Sequence, residues 1–88
     1  MMTVRQAVAA PAGSTVVVRG HLIATAGETY VAEMLAESYP PQPGGATLRV
    51  EGIELSTLDR IEQAGDTTWA TDQRIVTGRI EGGVLHVE

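Results

Sequence analysis

Cysteine, lysine and phenylalanine are all absent from this 88-residue sequence. Without cysteine the chain forms no disulfide, no thiolate nucleophile and no cysteine-ligated zinc or iron-sulfur site. Its aromatic residues are two Tyr and one Trp, so a row of stacking side chains for single-stranded nucleic acid is poorly supplied. These absences disfavour redox enzymes, zinc modules and aromatic nucleic-acid platforms.

The charge balance is acidic: six arginines stand against eleven Asp and Glu, for a formal net charge of −5. Such a domain repels phosphate backbones on average, although a local basic face can offset this. The chain also has no apolar run near the roughly 20 residues of a membrane span, and Ala7–Ala10 is too short for a signal peptide. We therefore expect a cytoplasmic protein that does not bind membranes.

Residue types that carry catalysis are scarce in a chain with two His. No Ser lies in a nucleophile elbow, and the spacing of His21 and His86 does not suit a metal. Asp66 and Asp72 flank a polar segment in which acids are expected to be solvated. A chain this short buries only about 60% of its unfolded surface, which favours an exposed binding surface. We expect no enzyme activity, no cofactor and no metal.

Alternating apolar and polar residues predict strands over residues 15–24, 29–35 and 47–53. Before them, Thr3 and Gln6 have the spacing of a capping box and predict a short helix from Val4 to about Ala10. Between the second and third strands, Ser38–Gly45 has three prolines in four residues. It predicts a stiff polyproline-like connector rather than a central strand.

The second half of the chain predicts a helix and then a hairpin. Ser56 as a cap and Gly65 as a terminator indicate a helix over residues 56–65, followed by a polar loop over 66–72 around Trp69. Strands over 73–81 and 84–88 are joined by a two-residue Gly-Gly turn. The predicted register pairs Gly78 with Val87, Arg79 with His86, and Ile80 with Leu85.

Five short strands with a helix between the third and fourth are typical of the Greek-key OB-fold barrel. Small barrels need Gly where their strands coil sharply. An apolar-x-Gly pattern recurs in three of the predicted strands, as Val18-Arg19-Gly20, Val50-Glu51-Gly52 and Val76-Thr77-Gly78. We predict an all-β, five-stranded OB-fold barrel over residues 15–88, after an N-terminal helix and linker over 1–14. An SH3-like barrel is the alternative, although it normally lacks a full helix before its fourth strand.

The connector carries a resemblance to known proteins. Leu35-Ala36-Glu37-Ser38-Tyr39-Pro40-Pro41-Gln42-Pro43-Gly44-Gly45, followed by Leu48-x-Val50-x-Gly52, resembles small, mostly uncharacterised actinobacterial OB-fold-like proteins with a Pro-Pro-Gln-Cys-Gly-Gly connector. The resemblance implies the fold and no activity. It also implies that Ala32 and Pro43, which take the places of two cysteines, lie close together. Loss of both thiols is what a branch in a reducing compartment would show.

Arginines on the predicted outer faces of strands one, three and four are the first candidate binding residues: Arg19, Arg49 and Arg79, with His21 beside them. OB domains bind single-stranded nucleic acid on such a face, with Arg contacting phosphate. Glu33, Glu51 and Glu81 fall on the same outward set, however. Cross-strand ion pairs are therefore the favoured interpretation.

Two aromatic residues complete the candidate set. Trp69 is either an exposed binding anchor or a cover for one end of the core, and packing is favoured. Tyr39 is the better exposed aromatic. The pattern Pro40-x-x-Pro43 matches a proline-recognition motif, although a rigid connector explains it as well.

The sequence thus predicts a non-catalytic OB-type binding or protein-interaction module. Its partner is expected to be a protein, bound through an edge strand or the Tyr39 loop. The alternative is single-stranded nucleic acid or an oligonucleotide on the arginine face, with an expected dissociation constant weaker than about 100 μM because few cations face one way. Whether the arginines are free or paired discriminates the two.

Overall fold

Strands dominate the protein. A computed structural model describes residues 1–88, of which 59% lie in strands and 9% in helices. The elements in chain order are β1 (Met2–Thr3), α1 (Val4–Val8), β2 (Thr15–Thr25), β3 (Glu28–Ala36), β4 (Gln42–Glu51), a 3₁₀ turn (Leu55–Thr57), β5 (Ile61–Ala64), β6 (Thr67–Ala70), β7 (Arg74–Glu81) and β8 (Val84–Val87). The all-β prediction is confirmed, but the predicted count of five strands is wrong, since the single mixed sheet has eight.

Five of the strands close into a ring. Each of β2, β3, β4, β8 and β7 pairs with the next, and β7 pairs back with β2. The pairs are antiparallel except for β4 with β8, which run parallel where Arg49, Val50 and Glu51 face Val84, Leu85 and His86. Within the ring each strand therefore has a neighbour on both sides for part of its length.

The core fills the inside of this ring. Alternate residues of β2, such as Val16, Val18 and Leu22, are buried, as are Ile80 of β7 and Leu85 of β8. The period-2 alternation that predicted β2 is the pattern by which a strand presents one face to a core. The predicted hairpin register is also confirmed, because Gly78, Arg79 and Ile80 pair with Val87, His86 and Leu85.

The capping box starts α1 as predicted. The backbone N–H of Gln6 donates to Thr3 Oγ1 at 3.1 Å, and the backbone N–H of Thr3 donates to Gln6 Oε1 at 3.0 Å. The helix ends at Val8, earlier than expected, and buries Val4 and Ala7 in the core. No helix of this protein has the length and apolar character to cross a lipid bilayer.

The helix predicted over residues 56–65 is wrong. Only a 3₁₀ turn forms there, and Ile61–Ala64 instead pairs with Thr67–Ala70 across a two-residue Gly65-Asp66 turn. Gly65 has a φ of +60°, which suits a first turn position that favours glycine. The predicted loop around Trp69 is consequently a strand.

Tertiary pairing explains this departure. Threonine and tryptophan favour strands, and β6 continues the sheet beside β2 by pairing Trp69 with Ile23 and Thr68 with Ala24. That position buries Thr67, whose Oγ1 lies 3.1 Å from Thr25 Oγ1. Burial and pairing outweigh the weak helix signals of residues 56–65.

The proline-rich connector is also more ordered than predicted. Gln42–Gly45 belongs to β4 and pairs with β3, with Pro43 opposite Leu35. Proline is tolerated because β3 is the only neighbour of this part of β4, so the missing N–H breaks no second ladder. Ala32 lies opposite Thr47, roughly 10 Å along the strands from Pro43. The implied closeness of Ala32 and Pro43 is wrong.

Candidate functional site

The predicted arginine face is internally paired on β4, β7 and β8. Arg49 lies 3.8 Å from Glu28 and 3.7 Å from Glu51, and Arg79 Nε lies 3.2 Å from Glu81 Oε1. His86 Nδ1 is 3.8 Å from Glu51 Oε2. Exposed pairs of this kind contribute little to stability. They do mean that carboxylates already face these two arginines.

Tyr30 is also engaged by a carboxylate on that face. Its hydroxyl donates to Glu28 Oε2 at 2.6 Å, and this hydrogen bond raises the pKa of Tyr30. Glu28 therefore contacts both a phenol and Arg49. Phosphate binding draws its free energy from counterions released by unpaired cations, and this face has few to offer.

Arg19 differs from the other five arginines, because it alone makes no ion pair. It lies opposite Ile75 of β7 on one side and Thr3 of β1 on the other. His21, two residues further along β2, is half-buried, and its Nδ1 has no hydrogen-bond partner. Of the predicted residues, Arg19 and His21 therefore make no ion pair, whereas Arg49 and Arg79 do.

The two aromatic candidates lie together. Trp69 is only 7% exposed, so the packing interpretation is confirmed and an exposed Trp69 anchor is wrong. Its ring meets that of Tyr39 edge to face, with centroids 5.9 Å apart and planes at 88°. Tyr39 is 79% exposed, so it is the accessible aromatic residue of this pair.

An apolar cleft was not predicted from the sequence. A cavity of about 340 Å³ opens between β7, the end of β8 and the segment 52–60. Its apolar walls are Leu22, Ile53, Leu58, Val76 and Val87, and Ile75 at its rim is 60% exposed. The one sequence signal was Ile75 itself, a large aliphatic residue on the outward-facing set of β7.

On the side that faces away from β2, the backbone of β7 has no strand partner at Ile75. Arg79 pairs with His86, and the N–H of Glu88 donates to the carbonyl of Thr77 at 3.2 Å. Backbone groups alternate sides along a strand, so Ile75 directs its N–H and C=O the same way. No residue of β8 lies opposite Ile75. The cleft thus combines apolar walls with a short free strand edge.

An arginine–aspartate latch, formed by Asp59, Arg60, Asp72 and Arg74, holds one wall of the cleft. Arg74, with a side chain 14% exposed, donates from Nε to Asp72 Oδ1 at 2.7 Å. Arg60 bridges the two acids, at 2.9 Å from Asp59 Oδ2 and 3.1 Å from Asp72 Oδ2. The latch joins the segment 52–60 to the start of β7.

We expect the latch to weaken in acid. Hydrogen bonds from Arg74 and Arg60 lower the pKa of Asp72, so this carboxylate stabilises the fold above its unfolded pKa of about 3.9 and loses that effect as the pH falls further. Asp72→Asn should therefore lower the urea midpoint at neutral pH and converge with wild type once the pH has fallen through the lowered pKa of Asp72 in the folded protein. Asp66→Asn removes the same charge without touching an arginine and should show a smaller loss at neutral pH. Equal losses in both variants would contradict the latch.

Three comparisons place no known protein beside this chain: no family model, curated protein or solved structure matches it. No three His, Asp or Glu side chains come together as a set of metal ligands.

Proposed function

We propose that the five-strand ring is an OB-type barrel and that the protein is a non-catalytic module that binds other proteins. The strand order supports the fold, because β7 returns after a long connection to lie beside β2, as in a Greek key. The position of the 3₁₀ turn and the β5–β6 hairpin makes them an insertion between the third and fourth barrel strands.

The cleft beside Ile75 carries the functional proposal. An extended peptide that joins a free sheet edge gains main-chain hydrogen bonds, and pockets for alternate side chains give it specificity. Here the edge offers the N–H and C=O of Ile75, and the adjacent cavity of about 340 Å³ accepts an aliphatic side chain. Edge and pocket occur together only at this place on β7.

Charge indicates the chemistry of the partner. Glu88 lines the cleft and Glu54 follows Ile53 in its wall, and neither carboxylate has a cationic partner. The arginines of the latch are already paired with aspartates. We expect an extended segment in which an aliphatic residue is flanked by Lys or Arg.

A displayed library of short linear peptides, selected on the immobilised protein, tests this proposal. Enriched peptides should combine aliphatic and basic residues, and Ile75→Asn should weaken them by about tenfold or more because it replaces the apolar rim with a polar amide and adds no charge. Met34→Asn is the matched control, since Met34 is a 51% exposed apolar residue on β3, away from the cleft.

Two outcomes would contradict the proposal. One is a selection with no enrichment over an unrelated domain, or with peptides that bind wild type and Ile75→Asn equally. The other is binding of single-stranded homopolymers in the low micromolar range that is lost in Arg49→Ala or Arg79→Ala, which would favour the nucleic-acid alternative.

A further inference from the structure

Two side chains without protein partners, Arg19 and Gln73, meet Thr3 at a second cavity beside β1 and β2. The guanidinium of Arg19 makes no ion pair, and the side-chain amide of Gln73 makes no hydrogen bond. The hydroxyl of Thr3 accepts from the backbone N–H of Gln6 and keeps its own proton free to donate. All three side chains line a cavity of about 330 Å³.

Donors dominate this cavity, although the chain as a whole is acidic. Its one carboxylate, Glu33, is engaged by both Arg5 Nε and Arg5 NH2 at 3.1 Å. That contact lowers the pKa of Glu33, so the carboxylate is charged and already matched by the charge of Arg5. Arg19 lines the same cavity, and no carboxylate pairs with its charge.

The rest of the wall is apolar. Met2 and Val4 contribute aliphatic and thioether surface next to the donor groups, with Met1 at the rim. Methionine adapts its shape to an apolar ligand at little cost. A volume near 330 Å³ lies at the small end of ligand sites.

We propose that this cavity binds a monocarboxylate attached to an apolar group. A guanidinium presents two parallel N–H donors that match the two oxygens of a carboxylate, and Thr3 and Gln73 supply further donors. The apolar wall accepts the tail. The carboxylate belongs either to a free aliphatic acid or to the C-terminus of a peptide, which share this chemistry.

This site is independent of the cleft at Ile75. Arg19 and Ile75 face each other across the β2–β7 pair, but Arg19 lines only the cavity beside β1 and Ile75 only the cleft beside β8. A failure of either proposal therefore leaves the other standing.

An NMR titration of the ¹⁵N-labelled protein with hexanoate tests the proposal. Amide signals of Thr3, Val4, Arg19 and Gln73 should shift and saturate with a dissociation constant on the order of 1 mM. Hexanol lacks the charge and inorganic phosphate lacks the tail, so each should bind about tenfold more weakly or not at all. The same spectra show that the protein stays folded.

Variants then assign the effect to Arg19. Arg19→Gln should weaken hexanoate by about tenfold or more, and Arg19→Lys by less, because lysine keeps the charge and loses the paired donors. Arg79→Gln is the control for the same loss of charge on the ion-paired face, and it should bind as wild type does. Two results overturn the proposal. One is amide shifts that do not saturate when the hexanoate concentration reaches about ten times the expected dissociation constant. The other is shifts that persist unchanged in Arg19→Gln.

A peptide with an apolar last residue distinguishes the two sources of the carboxylate. It is used with a free and with an amidated C-terminus, and only the free acid should bind. Tighter binding of this peptide than of hexanoate assigns the site to a chain terminus, and the reverse assigns it to a free acid. Equal binding of the free and amidated peptides at these residues contradicts the carboxylate site.

Discussion

Changing Gly78 to Ala is expected to destabilise the protein by about 3 kcal/mol, the upper end for an overpacked position. A Cβ at residue 78 would collide with the backbone carbonyl of His86, and it would also lie 3.0 Å from Leu85 Cδ1. A colliding side chain could rotate away, but this atom belongs to the backbone. The backbone of His86 is held in place because it pairs with Arg79 and with Glu51. The clash therefore has to be relieved by moving β8 itself.

Urea unfolding followed by Trp69 fluorescence measures this loss. Thr77→Ala is the control, because Thr77 is the exposed neighbour on the same strand and its change should cost about 0.5 kcal/mol or less. A loss below about 1 kcal/mol in Gly78→Ala would show that β7 and β8 separate easily. It would contradict the close packing of that pair.

Leu85→Ala is expected to cost about 3 to 4 kcal/mol of unfolding free energy. Leu85 is fully buried, pairs with Ile80 and, through the parallel ladder, with Val50. Removing its side chain leaves a hole where three strands of the ring meet. For a small domain with a total stability of roughly 5 to 15 kcal/mol, this is a large share.

Two companion variants keep this prediction measurable. Leu85→Met conserves volume and should cost less than about 1.5 kcal/mol, and Val17→Ala removes a 39% exposed aliphatic side chain of β2 at a cost within about 1 kcal/mol. If Leu85→Ala unfolds no more easily than Val17→Ala, the centre of the core has been placed wrongly.

The six arginines fall into two groups, those that contact a carboxylate and the one that does not. Five are engaged by carboxylates, and Arg19 is not. The sequence shows acids and arginines alternating on outward strand positions, which predicts pairing in general. It does not show which arginine is left over, because that depends on which strands become neighbours in the sheet.

Local pattern was sufficient for several elements. The capping box at Thr3, the alternation along β2 and the Gly82-Gly83 hairpin with its register were all predictable, since each is decided by residues close together in the chain. The burial of Trp69 was also predictable, because tryptophan in a small domain usually packs against the core. The strand in which Trp69 lies was not predicted.

Long-range pairing decided the rest. Residues 61–70 form a hairpin, where the sequence predicted the end of a helix and a loop, because Trp69 pairs with Ile23, more than forty residues earlier in the chain. The cleft forms where β7, the end of β8 and the segment 52–60 come together, and the Arg19 cavity where β1 and Gln73 come together beside β2. By itself the sequence determined an acidic, cysteine-free, strand-rich chain and its local turns. Which side chains share a surface was decided only by the tertiary structure, since contacts between distant segments are set by the competition of all strands for neighbours and burial.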